Sequence, residues 1–346
     1  MLARTAGVAL ALALFTVGAA RPARAQVTTL RIASPAPPGT AWAREGTAFS
    51  REVERLTHGT LKIKFYLGGI TGDELETAQR IRRGQLDGIA SGGMLCMRLA
   101  PSMRVLRVPG LLQTREESAY VSGRLRQVFD AELAKNGFTN LGEINVGPDV
   151  ILSRTPIRTM AELKRARLWA WDLDSVFRLA LPAMGLNIVP VPLAQAARAY
   201  DEQRIDGFIA VPTAALAFQW SAQARYVTDL RFSFLRGCML ISNRAFDELP
   251  IASQEALRSA FAKLVARLSD LERTQDEALL GGLFEKQGVK SVPASSAFRS
   301  EVFEAAQGVR ERLGDRLVPH ALLQRVLALL ADFRAEHSGS SAVDKQ

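Results

Sequence analysis

The sequence predicts an α/β fold of two similar lobes, each a mainly parallel sheet flanked by helices. Three observations predict it. A β-α-β-α-β order occurs twice; the closing strands of the two occurrences share a hydrophobic-Asp-Gly start; and a helical pattern far longer than either lobe needs, residues 251–288, follows both. Alternating strands and helices argue for parallel strands joined by right-handed crossovers.

The first unit opens with the strand "LRIAS" (30–34) and a helix with apolar spacing near 3.6 over residues 41–57. The strand "LKIKFY" (61–66) follows, then a helix over 73–84 that begins at Asp73 and ends at Gly84, then "LDGIASG" (86–92). The second unit runs through "RLWAW" (167–171), a helix over 175–185, "NIVPVP" (187–192), a helix over 194–204 and "IDGFIAV" (205–211). Beyond it, 225–243 is strand-rich and is expected to cross back toward the first lobe, "VKSVP" is a short strand, and helical patterns cover 298–313 and 320–336.

Residues 1–25 read as a secretory signal: Arg4, an apolar run from Ala6 to Phe15, and "ARA" at 23–25. The run is too short to span a bilayer as a helix, and no later run of about 18 apolar residues occurs. An exported, soluble chain is therefore expected, resident in the periplasm. Arg4, Arg21 and Arg24 account for three of the net +9 charges, leaving +6 for the remainder. Its arginines are scattered without a basic block, which argues against nucleic acid as a partner. His58, His320 and His337 lie far apart, and Cys96 and Cys238 form no CxxC, so no metal site, cofactor site or catalytic constellation is legible. The two cysteines could pair in an oxidising compartment, but two buried free thiols are the expected state.

The chain resembles the solute-binding proteins of TRAP transporters, the DctP-like family, over about 28–335. The resemblance is carried by "LRIASPAPPGTAWAREGTAFSREVERLTHGTLKIKFYLGG", "RIRRGQLDGIASGGM", "IRTMAELKRARLWAW", "MGLNIVPVPLAQ", "RIDGFIAVP" and "ISNRAFDELPIASQEAL". It implies a two-lobed periplasmic binding protein, type II-like, with the long helix bracing both lobes. It also implies a small-molecule ligand, membrane permease subunits as partners, a monomer or homodimer, and no enzymatic activity. The expected organisation is a signal at 1–25, lobe 1 at 26–147 completed by about 234–262, and lobe 2 at 148–233 completed by about 263–296. C-terminal helices follow at 297–337, and a disordered tail at 338–346. A rival in the same class is a binding protein for an ABC importer or a sensor; a rival in another class is an enzyme on this fold.

The family's usual arginine, which grips a ligand carboxylate from the first strand of the second lobe, aligns with Trp169 in "ELKRARLWAW". Phe208, Ile209 and Ala210 stand where polar residues often follow the family's Asp-Gly. Trp169 and Trp171 share a strand face. Open α/β sheets bind ligands at the carboxyl ends of their strands, and Trp42, Trp171 and Trp220 lie in or near those loops. The candidate ligand-binding residues are thus Trp42, Ser91, Trp169, Trp171, Asp172, Thr213 and Trp220. Gly92 and Gly93 are candidate backbone donors and Gln219 a further polar candidate. Asp172 either binds or caps the helix starting near Ser175, with Asp174 the better cap. Arg154 and Asp149 are expected near the hinge. The ligand should be more apolar or aromatic than sugar acids or dicarboxylates, and Trp169→Arg should change ligand choice more than it changes the fold.

Overall fold

The computed structural model describes residues 27–338; the signal reading of 1–25 and the tail from 339 onward lie outside the described residues. Eleven strands form two sheets among the described residues. In chain order they are β1 (Thr28–Ala33), β2 (Leu61–Tyr66), β3 (Gly88–Ser91), β4 (Phe138–Pro148), β5 (Val150–Ser153), β6 (Arg167–Trp171), β7 (Asn187–Val191), β8 (Gly207–Ala210), β9 (Tyr226–Thr228), β10 (Phe234–Ser242) and β11 (Lys290–Val292). The first sheet has the order β2-β1-β3-β10-β4, the second β11-β9-β5-β8-β6-β7.

The two orders are the same pattern. In each, the unit's first strand lies between its second and third, and beyond the third lies one strand running against the rest. That strand is β10 in the first sheet and β5 in the second, each coming from just past a crossing between sheets. The sheets are therefore mainly parallel, as the alternating pattern predicts, with one reversed strand in each. The reversed strands are not preceded by crossover helices, so the alternation does not reveal them.

The hydrophobic-Asp-Gly start has a matching structural role in both units. Asp87 accepts from the backbone N–H and the Nε of Arg31 on β1, both at 2.8 Å. Asp206 does the same for Arg167 on β6, at 3.0 and 2.9 Å. The glycine that follows admits the reversed strand: a Cβ at Gly88 would lie 2.4 Å from the Leu240 carbonyl, and one at Gly207 2.4 Å from that of Leu152. Backbone cannot yield as a side-chain tip can. Gly88→Ala and Gly207→Ala are each expected to cost about 1–3 kcal/mol, the range of overpacked cores, read as a lower urea midpoint. An unchanged midpoint would refute the close-approach account.

The long helical pattern is realised as the helix Ile251–Ala278, followed by a wide turn, Leu279–Leu283, and a short turn of helix, Phe284–Lys286. Gly282 there has φ 127°, a conformation closed to most side chains, so the helix breaks before the end of the 251–288 pattern. The helix packs on Ala41–Leu56 and on β4 of the first sheet and reaches Pro212–Ala217 beside the second. Helices Arg115–Lys135 and Met94–Leu99, absent from the pattern reading, cover one face of the first sheet.

Cys96 and Cys238 form a disulfide with Cα atoms 6.2 Å apart, where two free thiols were expected. The cause is β10. Its antiparallel pairing places Cys238 opposite Ser91 at the end of β3, beside the helix that carries Cys96.

Candidate functional site

The carboxyl ends of β1, β3, β6 and β8 face a cavity of about 160 Å³. Ser34–Ala36 and Ala90–Gly92 come from the first sheet, Trp169, Trp171 and Ile209–Val211 from the second, and Leu264, Leu268 and Glu272 from the long helix. All four tryptophans are in the lining, with Phe65, Phe177 and Phe218.

The indoles occupy different settings. Trp169 is 4% exposed; it faces Phe208 across the β6–β8 pair and Trp220 at 4.9 Å between ring centroids. Its Nε1–H donates to the Val191 carbonyl at 2.9 Å. Trp220, 2% exposed, stacks on Phe208 and Phe218. These two form the cavity floor and are also core. A charge at 169 would enter that core unpaired, so Trp169→Arg is expected to disturb the fold more than ligand choice, reversing the expectation from the sequence. Trp171 is only partly buried, and its ring lies against Gly92 of the first sheet, with Cζ3 3.3 Å from the site of a Gly92 Cβ. It spans the gap between the sheets.

Trp42, in the first turn of Ala41–Leu56, donates from Nε1 to Glu272 Oε1 at 3.2 Å. The other Glu272 oxygen, Oε2, has no hydrogen-bond partner among the described residues. Ser91 and the Gly92 N–H reach the cavity edge, but Glu74 holds both: Ser91 Oγ donates to it at 2.7 Å and Gly92 N at 2.6 Å. Burial pushes the Glu74 carboxyl up despite these bonds and that from Leu95 N.

Asp172 and Thr213 lie outside the lining. Burial, then the neighbouring Asp73, raises the Asp172 carboxyl above its usual range. Thr213 uses its backbone N–H to reach Asp276 at 3.3 Å. Asp174 is the helix cap, accepting from Phe177 N at 2.9 Å. Gln219 adopts a left-handed φ of 61° just before Trp220. Arg154 sits at the other end of β5, donating to the Tyr200 carbonyl at 2.7 Å, away from the cleft and from the hinge where it was expected.

The structure adds a charged cluster with no sequence motif. Arg107, 5% exposed, ends the short helix Pro101–Arg107. It pairs with Asp149, donates from Nε to Asp174 at 2.9 Å, and lies 3.7 Å from the Phe177 ring centroid. Burial works against its charge, yet the two carboxylates hold its pKa above the ordinary value. It is the one guanidinium in the lining among the described residues, and its charge is already matched twice. Asp149 stands at the β4–β5 crossing and Ser233 at the return crossing; Asp149 N donates to Ser233 O at 2.9 Å. Glu272 did leave a faint sequence trace: it continues the stripe Leu264, Leu268 at a spacing of four, where an apolar residue belongs.

Two acids on the long helix make stability pH-dependent. Burial, reinforced by Asp276, pushes Glu272 up to about 8, and burial pushes Asp276 up to about 6 although Arg115 pairs with it. The folded state therefore keeps protons that the unfolded chain releases above its ordinary values near 4.5 and 3.8. Stability should fall as pH rises from about 5 to 8, by at most about 1.4 kcal/mol per pH unit per group. The check is the urea midpoint across that window, with Glu272→Gln flattening the slope. A midpoint that climbs with pH would contradict it.

The model of the family DctP, bacterial extracellular solute-binding protein, family 7, matches residues 32–315. A solute-binding protein of Verminephrobacter eiseniae is 22% identical over 232 residues, 66% of this chain and 69% of its own. Among solved structures, a TRAP periplasmic solute binding protein from Desulfovibrio desulfuricans with bound sn-glycerol-3-phosphate superposes with a TM-score of 0.80. It is 17% identical and covered over 87% of this chain and 97% of its own. The Bordetella pertussis extracytoplasmic solute receptor DctP7, binding pyroglutamic acid, gives 0.79 at 20% identity, with 88% and 99% covered.

Proposed function

This chain belongs to family 7 of the bacterial extracellular solute-binding proteins, and we propose that it serves as a periplasmic receptor of a TRAP transporter, as the solved structures of the same fold are described, and captures a small apolar or aromatic molecule between its sheets. It would deliver that molecule to a membrane permease and leave it chemically unchanged. The observation that carries the ligand class is the cavity lining: four indoles, and one guanidinium already matched by Asp149 and Asp174. A ligand carboxylate needs an uncommitted cation, whereas a flat apolar ring needs the walls that are present. The volume of about 160 Å³ suits a single ring with a short arm, since a dry cavity of about 150 Å³ holds benzene. Periplasmic residence would follow from export through the signal read at residues 1–25.

The test is a thermal-shift series with indole and benzyl alcohol against succinate and gluconate. The aromatic probes should raise the melting temperature and quench tryptophan fluorescence; stabilisation by the acids alone would refute the reading. Trp171→Ala should weaken aromatic binding by about 1–3 kcal/mol, the scale of ring stacking, with little change in melting temperature. A large melting loss with unchanged affinity would return Trp171 to core packing.

A further inference from the structure

The cavity's polarity is the reverse of what an anionic ligand needs. Its lining carries three carboxyl groups, Asp149, Asp174 and Glu272, against the single guanidinium of Arg107. Arg107 answers the two aspartates. Glu272 is left: it is 1% exposed, faces the cavity from the long helix, and has Oε2 without a hydrogen-bond partner among the described residues. A buried unpartnered carboxyl oxygen is costly unless something arrives to satisfy it.

The groups packed around Glu272 do not supply that partner. Trp42 takes Oε1. Asp276, one turn further along the same helix, is itself acidic and is held by Arg115 from the helix Arg115–Lys135. Arg236 on β10 is half-buried outside the lining and donates to Ser118 at 3.4 Å, so its charge and that of Arg115 act on Glu272 through space without a hydrogen bond. On the cavity side the wall around Glu272 is aromatic, with Trp42, Phe65 and Trp171 in the lining. Faces of aromatic rings attract a cation, and a desolvated carboxylate completes a site for one.

Resting on the proposal that the cavity takes a small aromatic or apolar molecule, we propose that this molecule carries an ammonium group, received by Glu272 within the indole-lined cavity. Its nitrogen would donate to Oε2, and its ring would lie on Trp171 and the Trp169–Trp220 floor. Glu272 holds its proton in the empty site, since burial pushes it up to about 8. Binding of the ammonium form then releases that proton to solvent, and the complex pairs one positive with one negative charge.

Benzylamine, benzyl alcohol and benzoate form a size-matched set for the test, by calorimetry on the intact mature chain at pH 6, 7 and 8. Benzylamine should bind at least tenfold more tightly than the alcohol at pH 8. Its Kd should fall about tenfold per pH unit over the window, because Glu272 must lose its proton. Benzoate should bind weakest. Glu272→Gln should abolish both the amine preference and the pH slope. Equal affinity for amine and alcohol overturns the ammonium assignment and leaves the aromatic-ligand reading standing. Tightest binding of benzoate overturns it as well, and an unchanged amine preference in Glu272→Gln removes Glu272 from it. Binding of none of the three overturns it together with the aromatic-ligand reading.

Discussion

Replacing Arg107 with methionine is expected to cost about 3–5 kcal/mol of folding stability, the usual loss when one member of a buried ion pair is removed. Methionine keeps much of the stem volume and the contact with Phe177. What disappears is the charge between Asp149 and Asp174, both 1% exposed and unable to turn to water. Arg107→Met combined with Asp149→Asn and Asp174→Asn should recover part of the loss, because the repelling carboxylates are then gone as well. Denaturant unfolding of the two variants measures both effects. A loss below about 1 kcal/mol for the single variant would show that the cluster is satisfied some other way.

Removing the Cys96–Cys238 bridge is the second large effect. It closes a loop with a sequence separation of 142 residues. The chain-entropy relation gives about 5 kcal/mol for such a loop, and native bridges removed from small domains cost about 2–5 kcal/mol. Both sulfurs are buried, so a reductant acts only on opened molecules. The cleaner comparison is a Cys96→Ser/Cys238→Ser variant against the oxidised parent in guanidinium. Coincident midpoints would refute a stabilising role.

Both cysteines illustrate where the sequence stops being readable. The strands β1, β2, β3, β6, β7 and β8 are legible because each sits in a strand–helix alternation with apolar periodicity. β4, β5 and the helix Arg115–Lys135 are not. That helix buries Glu117, Ser118 and Ser122 beside Val121, Leu125 and Phe129, so its inward face is part polar and its periodic signal is weak. β4 and β5 follow each other with only Asp149 between them, so they read as one long extended run that belongs to no unit. Pairing of Cys96 with Cys238 depends on the reversed strand β10, and nothing local to either cysteine announces it.

The site divides the same way. Aromatic residues at strand ends are visible from position alone, and Trp42, Trp169, Trp171 and Trp220 are all in the lining. Arg107 is not visible, because one arginine among many carries no motif, and Glu272 shows only as a break in the apolar stripe of the long helix. Their meaning arises only when segments from both halves of the chain close around one space. Gly92 shows the converse: it offers a free donor on paper, but Glu74, 18 residues earlier, has already taken it.

The placement of β10 between β3 and β4 bears on how the molecule comes into being along its length. A chain emerging from the ribosome releases β1 through β4 well before residue 234, yet β4 has no sheet neighbour until β10 arrives. Until then the outer edge of β3 is bare. The second sheet is unfinished at that point too, since its edge strand β11 pairs with β9 only once residues 290–292 are made. Neither sheet is complete before residue 234, and a ribosome-tethered fragment ending near residue 230 should expose open strand edges to proteases and chaperones. The molecule is built so that its last third decides whether its first third is finished.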